Sequence, residues 1–117
     1  MVPQLSVVIP AYNEEKRLGP NLGPVLKYLH KNYPGFELIV VDDGSTDNMA
    51  KSVKKAILSE PKARLISYNP NRGKGYAVKQ GVLASVGKQV LFMDADMSTP
   101  ISEIPKILKM LDNADIF

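Results

Sequence analysis

Two carboxylates one residue apart, Asp94 and Asp96, come directly after the apolar run Val90–Met93. An apolar segment that stops at two acids is typical of a buried strand ending at the edge of a sheet. Residues i and i+2 of an extended segment point to the same side, so the two carboxylates can converge on one cation. Hard cations such as Mg²⁺ and Mn²⁺ take oxygen ligands, commonly one or two carboxylates together with substrate phosphates. The pair is therefore a candidate metal site, with a solvated helix-capping turn as the alternative.

Three further polar loops follow apolar segments in the same way. The first carries Tyr12 and Glu14, the second is acidic, and the third is basic and contains glycine. They cover residues 10–15, 42–47 and 69–75. If the preceding segments are parallel strands, all of these loops gather at one edge of a sheet with the two aspartates. That shared position is stronger evidence for a site than any single motif.

The apolar segments that precede these loops predict a sheet. We expect strands over Leu5–Ile9, Phe36–Val41, Ala63–Tyr68, Lys88–Met93 and, at the end of the chain, Ala114–Phe117.

Helical periodicity separates the strands. We expect four helices. The first starts at about Pro20, the second follows an N-cap at Asp47, the third covers Tyr76–Ser85, and the last follows Thr99 and Pro100. Alternation of strands and helices predicts an α/β fold of the Rossmann-like three-layer α/β/α type, with a mostly parallel sheet and helices on both faces.

The composition is that of a soluble globular domain, with 44% hydrophobic and 23% charged residues in 117. This length fits one domain over residues 1–117. No apolar run reaches the ~18 residues that span a bilayer, and Met1–Pro10 lacks the features of a signal peptide. The absence of cysteine excludes thiolate metal sites and fits a reducing compartment, so we expect a cytoplasmic location, including the cytoplasmic face of a membrane. A net charge of +3 is too small to predict nucleic-acid binding.

Several common site types are not indicated. No G-x-G-x-x-G follows the first strand, and Asn71–Tyr76 lacks the spacing of a P-loop. The only histidine, His30, lies in a predicted helix away from the motif loops, and Ser45 and Ser98 have no histidine nearby in sequence, so a nucleophilic triad is not predicted.

Four ordered segments resemble family 2 glycosyltransferases, which have the GT-A fold. They are Leu5–Glu14, Val40–Asp47, Asn71–Gly75 and Asp94–Asp96. Two stretches, Lys74–Gly81 and Asp94–Pro100, resemble most closely the dolichyl-phosphate β-glucosyltransferase branch of that family.

The resemblance implies a nucleotide pocket at the end of the first strand. Pro10, Ala11 and Tyr12 would line the base pocket, and Glu14 would reach the ribose hydroxyls. The structural alternative for Tyr12 is a packed loop aromatic.

The second and third loops would complete the donor site. Asp42 would accept a hydrogen bond from the base with Asp43 beside it, and Gly44 would let the backbone come close to the ligand. Arg72 and Lys74 would meet the diphosphate or the base. The alternatives are an Asp-Gly turn with helix capping and a solvated basic loop.

The resemblance also implies the chemistry. Asp96 would bind Mg²⁺ or Mn²⁺ directly, and Asp94 would touch the ribose or a metal-bound water, so both form the catalytic centre. The expected reaction is inverting transfer from a nucleoside-diphosphate sugar, with a UDP-sugar favoured, to a polyprenyl or dolichyl phosphate. A saccharide hydroxyl acceptor and a non-catalytic nucleotide-sugar-binding module stay open. A nucleotidyltransferase is disfavoured because the loop after the first strand is not rich in glycine and arginine.

Members of this family normally continue well beyond the D-x-D motif, whereas this chain ends within a predicted strand. We therefore expect a domain that is incomplete at its C-terminal side, either as a fragment or as a natural short form. We also expect this chain alone to bind nucleotide but to transfer sugar poorly or not at all. An unpaired sheet edge favours self-association, and the lipid acceptor favours peripheral membrane association.

Overall fold

The computed structural model describes residues 3–96 and 101–106, in which four strands alternate with three α-helices. The strands are β1 (Leu5–Ala11), β2 (Phe36–Asp43), β3 (Ala63–Tyr68) and β4 (Gln89–Phe92). The helices are α1 (Glu15–Asn32), α2 (Met49–Ala56) and α3 (Lys74–Ala84), and a short 3₁₀ helix covers Ile101–Glu103.

The four strands form one parallel sheet in the order β3-β2-β1-β4. Ile9 of β1 lies beside Val40 of β2, and Val8 lies beside Phe92 of β4. The chain moves outward from β1 to β3 and then returns through α3 to the other side of β1. The strand order therefore reverses between β1 and β4, the position where ligands bind in open α/β sheets.

Side chains that alternate along the strands form two apolar cores, one on each face of the sheet. Val7 and Ile9 pack with the buried face of α1 and with Met49 and Val53 of α2. Val8 faces the opposite way and belongs to the core that includes Ala77 of α3. The predicted α/β architecture with helices on both faces is confirmed.

Helix α1 begins at Glu15, five residues earlier than predicted, and continues through both Pro20 and Pro24. Each proline removes a helical hydrogen bond, at a cost of about 3 kcal/mol in a helix interior. The predicted start at Pro20 was therefore wrong. Leu18 and Leu22 are fully buried, and because burying one leucine contributes about 1.5–3 kcal/mol, their burial offsets the cost of the prolines.

Other boundaries shift by one or two residues. Helix α2 has Asn48 at its N-cap position in place of Asp47, although the Asp47 carboxylate accepts a hydrogen bond from the Met49 amide at 3.0 Å. Helix α3 begins at Lys74, two residues before the predicted start. Strand β4 is shorter than predicted by one residue at each end.

The last predicted strand lies outside the described residues, and the last predicted helix lies outside them in part. The predicted strand Ala114–Phe117 lies wholly outside them, as does the cap predicted at Thr99 and Pro100. Among the residues that are described, no helix has both the length and the apolar character needed to span a membrane.

Candidate functional site

A cavity of about 330 Å³ opens at the carboxyl edge of the sheet, beside the reversal of strand order between β1 and β4. The carboxyl ends of the strands and the segments that follow them contribute to its wall, which is partly apolar and partly charged. The wall residues are Pro10, Ala11, Tyr12, Glu14, Asp43, Asn71, Gly73, Lys74, Ala77, Asp94, Ala95 and Asp96. The volume is at the lower end of the range typical of small-molecule sites.

Most of the residues singled out in the sequence come together in this wall. They are Pro10, Ala11, Tyr12, Glu14, Asp43, Lys74, Asp94 and Asp96. Asp42, Gly44 and Arg72 lie nearby but outside the described wall. The ligand contacts proposed for all of these residues stay predictions.

The loop after β1 is held in place by Asn13, which the sequence analysis did not single out. Its backbone adopts a positive φ of 53°, a conformation that asparagine tolerates better than most residues. Its side-chain carbonyl accepts hydrogen bonds from the amides of Thr46 at 2.8 Å and Asp47 at 3.2 Å, and its own amide donates to Ser45 Oγ at 2.9 Å. Asn13 thereby joins the first and second loops and fixes the flanking Tyr12 and Glu14.

The two carboxylate oxygens of Glu14 have different surroundings: one is hydrogen-bonded to Arg17 and the other is buried. Oε1 accepts a hydrogen bond from Arg17 Nη2 at 2.5 Å, and this bond is the main cause that raises the pKa of Arg17, to which the charge of Asp96 also contributes. Oε2 is buried and has no hydrogen-bond partner among the described residues. A buried acceptor without a donor is costly, so a hydroxyl donor from a bound ligand would be favourable here.

Asp43 organises the basic loop from beneath. Its buried carboxylate accepts hydrogen bonds from the Tyr68 hydroxyl at 2.6 Å, the Asn71 side chain at 2.7 Å, and the amides of Arg72 at 3.0 Å and Gly73 at 2.9 Å. Two of these donors are main-chain groups, so the carboxylate sets the path of the loop that leads into α3. Asp43 therefore lines the cavity, and its carboxylate holds the basic loop in place.

Asp42 is turned away from the cavity because consecutive strand residues point to opposite faces. One carboxylate oxygen accepts from the Ser45 amide at 2.9 Å and the other accepts from Ser67 Oγ at 2.7 Å. Gly44 follows with a φ of +69°, and a Cβ atom at this position would lie 2.4 Å from the Asn71 amide nitrogen. The close neighbour of Gly44 in the structure is therefore the basic loop, and the approach to a ligand stays a prediction.

Arg72 lies over an aromatic ring at the side of the loop. Its guanidinium is 5.2 Å from the ring centre of Tyr76, which in turn meets Tyr68 edge-on at 5.2 Å. Burial is the largest cause that raises the pKa of Tyr68, and its hydrogen bond to Asp43 acts in the same direction, so this hydroxyl stays a donor. The cation–π contact holds Arg72 beside the described wall.

Lys74 is the first residue of α3 and crosses the cavity to the loop after β4. Its ammonium group lies 2.5 Å from Asp94 Oδ1. The main-chain amides at the start of this helix give it a partial positive charge, which adds to that of the lysine. The cavity thus has a positive side at α3 opposite the carboxylates of Asp94 and Asp96.

The donor set of the cavity fits a hard divalent cation. Asp94 and Asp96 offer carboxylate oxygens, and the position beside Asp94 already holds a positive charge, that of Lys74. In the part of the chain that the structure describes, no group of three acidic, histidine or cysteine residues could hold a metal ion. Asp94 and Asp96 would supply two carboxylates, which suits Mg²⁺ or Mn²⁺ with further ligands from phosphates and water.

Four wall residues were not predicted: Asn71, Gly73, Ala77 and Ala95. Asn71 and Gly73 lie in a loop that the sequence analysis did select, and the φ of +97° at Gly73 explains the glycine. Ala77 lies one turn into α3, where its small side chain leaves room for the cavity.

Comparisons with known proteins identify the family of this chain. The sequence matches the family described as Glycosyl transferase family 2 over residues 6–117. It is 43% identical to the human dolichyl-phosphate beta-glucosyltransferase in an alignment that covers 94% of this chain and 36% of that protein. The chain therefore spans about a third of the length of that relative.

Solved structures show the same fold. The mannosyltransferase PcManGT from Pyrobaculum calidifontis, in complex with GDP-Man and Mn²⁺, superposes with a TM-score of 0.79 at 24% identity, over 97% of this chain and 34% of that one. Glucosyl-3-phosphoglycerate synthase from Mycobacterium tuberculosis, in complex with Mn²⁺, UDP and phosphoglyceric acid, gives 0.72 at 29% identity, over 93% and 39%. The predicted GT-A fold is confirmed, and the chain belongs to glycosyltransferase family 2.

Proposed function

We propose that this chain forms the donor-binding part of an inverting glycosyltransferase that uses a nucleoside-diphosphate sugar, with a UDP-sugar favoured. The observation that carries the proposal is the cavity itself. It brings aromatic, carboxylate and lysine side chains from several strand ends, loops and the start of α3 to the edge of the sheet where strand order reverses. These are the groups that a base, a ribose, a diphosphate and a divalent cation require.

The nucleoside would lie along the loop after β1. Tyr12 is 45% exposed and offers an aromatic surface to the base. The buried Oε2 of Glu14 lacks a donor among the described residues, and a ribose hydroxyl would supply one. Asn13 holds this loop against the second one, so both groups are in place before the ligand arrives.

The diphosphate would lie between the start of α3 and the aspartates. Lys74 and the main-chain amides of the first turn of α3, which begins at Lys74, provide positive charge for its oxygens. Asp94 and Asp96 would hold Mg²⁺ or Mn²⁺, which, when bound, offsets the charge that develops on the departing nucleoside diphosphate. The solved relative from Mycobacterium tuberculosis, named for its complex with Mn²⁺ and UDP, supports this choice of metal and nucleotide.

In the proposed reaction, an acceptor oxygen forms a bond to the anomeric carbon while the bond from that carbon to the diphosphate oxygen breaks on the opposite face. We propose a polyprenyl or dolichyl phosphate as the acceptor, because the human relative is named a dolichyl-phosphate beta-glucosyltransferase. The phosphate of such an acceptor is already anionic, so the step does not require a general base. A saccharide hydroxyl acceptor and binding without transfer are the alternative outcomes.

Titration of UDP in the presence of Mn²⁺ or of EDTA tests the donor site. We expect UDP to bind more tightly with Mn²⁺, and we expect Asp96→Asn to remove at least about tenfold of that advantage. Glu60→Gln is the matched control, since Glu60 lies between α2 and the start of β3, at the opposite edge of the sheet, and also loses one negative charge. UDP affinity that does not change with Mn²⁺ in the parent chain would contradict the metal site.

Transfer is tested separately with UDP-glucose and dolichyl phosphate. We expect this chain alone to transfer glucose poorly or not at all, because its cavity gathers donor-binding groups and catalysis needs both partners held in an attack geometry. Any glucosyl dolichyl phosphate that forms should have the anomeric configuration opposite to that of the donor. UDP release that proceeds equally with and without dolichyl phosphate would indicate hydrolysis, and a UDP-glucose complex that shows neither transfer nor hydrolysis would favour the binding module. Robust transfer by this chain alone would contradict the expectation.

A further inference from the structure

The ion pair between Lys74 and Asp94 joins two groups that face different ligands. Lys74 starts α3, and Asp94 follows β4 on the other side of the cavity. In the proposed function, Asp94 belongs to the metal site and Lys74 to the diphosphate site. The two side chains contact each other in the structure, at 2.5 Å between Nζ and Oδ1.

The position of Lys74 is unfavourable for the helix itself. The N-terminus of a helix carries partial positive charge, so a lysine there is repelled and an acidic residue would be stabilising. Helix α3 has 11 residues and no acidic residue in its first turn. Asp94 supplies from another loop the negative charge that the helix start lacks.

The same oxygen and the same ammonium are what the two ligands need. A divalent cation on Asp94 would repel the ammonium from that carboxylate, and a diphosphate beside Lys74 would compete with Asp94 for its positive charge. Each ligand is therefore expected to weaken the Lys74–Asp94 contact as it binds.

We propose that the Lys74–Asp94 ion pair is an internal counter-ion pair that couples metal binding to nucleoside-diphosphate binding. This inference rests on the proposed function and names the device by which the two ligands cooperate. The first ligand to bind breaks the contact, and the second then binds to a partner that is already released. Coupling of this kind is reciprocal, so each ligand raises the affinity of the other by the same factor.

The exposure of the pair sets the size of the effect. The side chains of Lys74 and Asp94 are 61% and 43% exposed. Exposed ion pairs of this kind are worth about 1.4- to 5-fold in an equilibrium constant. The contact is therefore strong enough to hold Lys74 in place and weak enough for either ligand to displace it.

Mn²⁺ binding without nucleotide gives the first test, measured by electron paramagnetic resonance. We expect Lys74→Met to bind Mn²⁺ about two- to fivefold more tightly than the parent, because the competing ammonium is gone. Lys79→Met is the matched control, since Lys79 is exposed on the same helix and its loss changes the net charge equally. Equal Mn²⁺ affinities in the parent and in Lys74→Met, or an equal gain in both variants, would overturn the proposal.

UDP binding in EDTA gives the second test. Without metal, loss of the Asp94 carboxylate should strengthen UDP binding, whereas with metal it should weaken UDP binding. Asp94→Asn should bind UDP about two- to fivefold more tightly than the parent, because Lys74 is released, and less tightly once Mn²⁺ is added. In a Lys74→Met background, Asp94→Asn should leave UDP affinity in EDTA unchanged. A gain that persists in that background would come from the lost negative charge alone and would overturn the proposal.

The measured affinities distinguish a failure of the proposed function from a failure of the proposed coupling. A parent chain that binds neither Mn²⁺ nor UDP overturns the proposed function and this inference with it. A parent chain that binds both, with no coupling carried by Lys74 and Asp94, overturns only the inference. Melting temperatures of the variants, measured by circular dichroism, establish that each is folded.

Discussion

The side-chain amide of Asn71 donates two hydrogen bonds to Asp43, one to its carboxylate at 2.7 Å and one to its main-chain carbonyl at 2.9 Å. With the amides of Arg72 and Gly73 on the same carboxylate, the loop before α3 is built around a single buried negative group. The loop that delivers Lys74 to the cavity thus depends on a residue of β2.

Asp43→Asn should therefore destabilise the protein even though it conserves shape. The NH₂ group that replaces one carboxylate oxygen cannot accept hydrogen bonds, so it leaves one main-chain amide of the loop, that of Arg72 or of Gly73, without a partner. Each buried donor left unpaired costs about 1–3 kcal/mol. We expect the free energy of unfolding, measured in urea, to fall by about 2–4 kcal/mol, with weaker UDP binding. Tyr68→Phe removes only one donor from the same carboxylate, so a loss for Asp43→Asn no larger than that of Tyr68→Phe would contradict this role.

The parallel sheet and the gathering of the loops could be predicted because both follow from the alternation of strands and helices. What each acidic residue does could not. Asp42 and Asp43 are consecutive, and their sequence does not indicate which one faces the cavity. Pairing with β3 decides it, since Asp42 lies beside Ser67 and Asp43 beside Tyr68. Asn13 was missed for a similar reason, because its partners lie 32–34 residues away.

Gly44→Ala should be more damaging than Gly73→Ala, although both glycines have positive φ. Gly44 has a φ of +69°, and Gly73 has a φ of +97° with a ψ of 161°; backbone strain at such positions costs a residue with a side chain about 1–3 kcal/mol. A Cβ atom at Gly44 would also lie 2.4 Å from the Asn71 amide nitrogen, whereas a Cβ at Gly73 meets nothing within 4 Å. We expect Gly44→Ala to lower the free energy of unfolding by about 1–3 kcal/mol more than Gly73→Ala. Equal decreases in the free energy of unfolding, measured in urea, would contradict this prediction. They would show that the end of β2 and the basic loop separate at no energetic cost.

Arg72→Ala should weaken UDP binding much less than Lys74→Ala when both are measured with Mn²⁺. Lys74 lies in the cavity wall, and charge-assisted contacts are typically worth about 1.5–3 kcal/mol, or roughly 10- to 150-fold. Arg72 rests on the Tyr76 ring outside that wall. We expect less than about threefold for Arg72→Ala, with equal effects on UDP and uridine. A loss for Arg72→Ala that matches Lys74→Ala and is specific to UDP would show instead that Arg72 contacts the diphosphate in the complex.

Glu60 anchors the start of β3 and gives the fold a defined pH dependence. Its carboxylate contacts His30 of α1 and accepts a hydrogen bond from the Lys62 amide at 3.0 Å. Burial acts to raise the pKa of Glu60, but these hydrogen bonds and the charges of His30 and Lys62 outweigh it, and the net shift is downward.

A lowered pKa means that folding favours the ionised form of Glu60. Its contribution is fully present above the unfolded pKa of about 4.3 and is lost as the pH falls through the lower, folded value. We expect Glu60→Gln to reduce the free energy of unfolding by about 1 kcal/mol at pH 7. The parent and the variant should converge in urea unfolding curves once the pH is below the folded pKa. A difference that stays constant from pH 7 to that acidic limit would show that the glutamate acts through its shape and not through its charge.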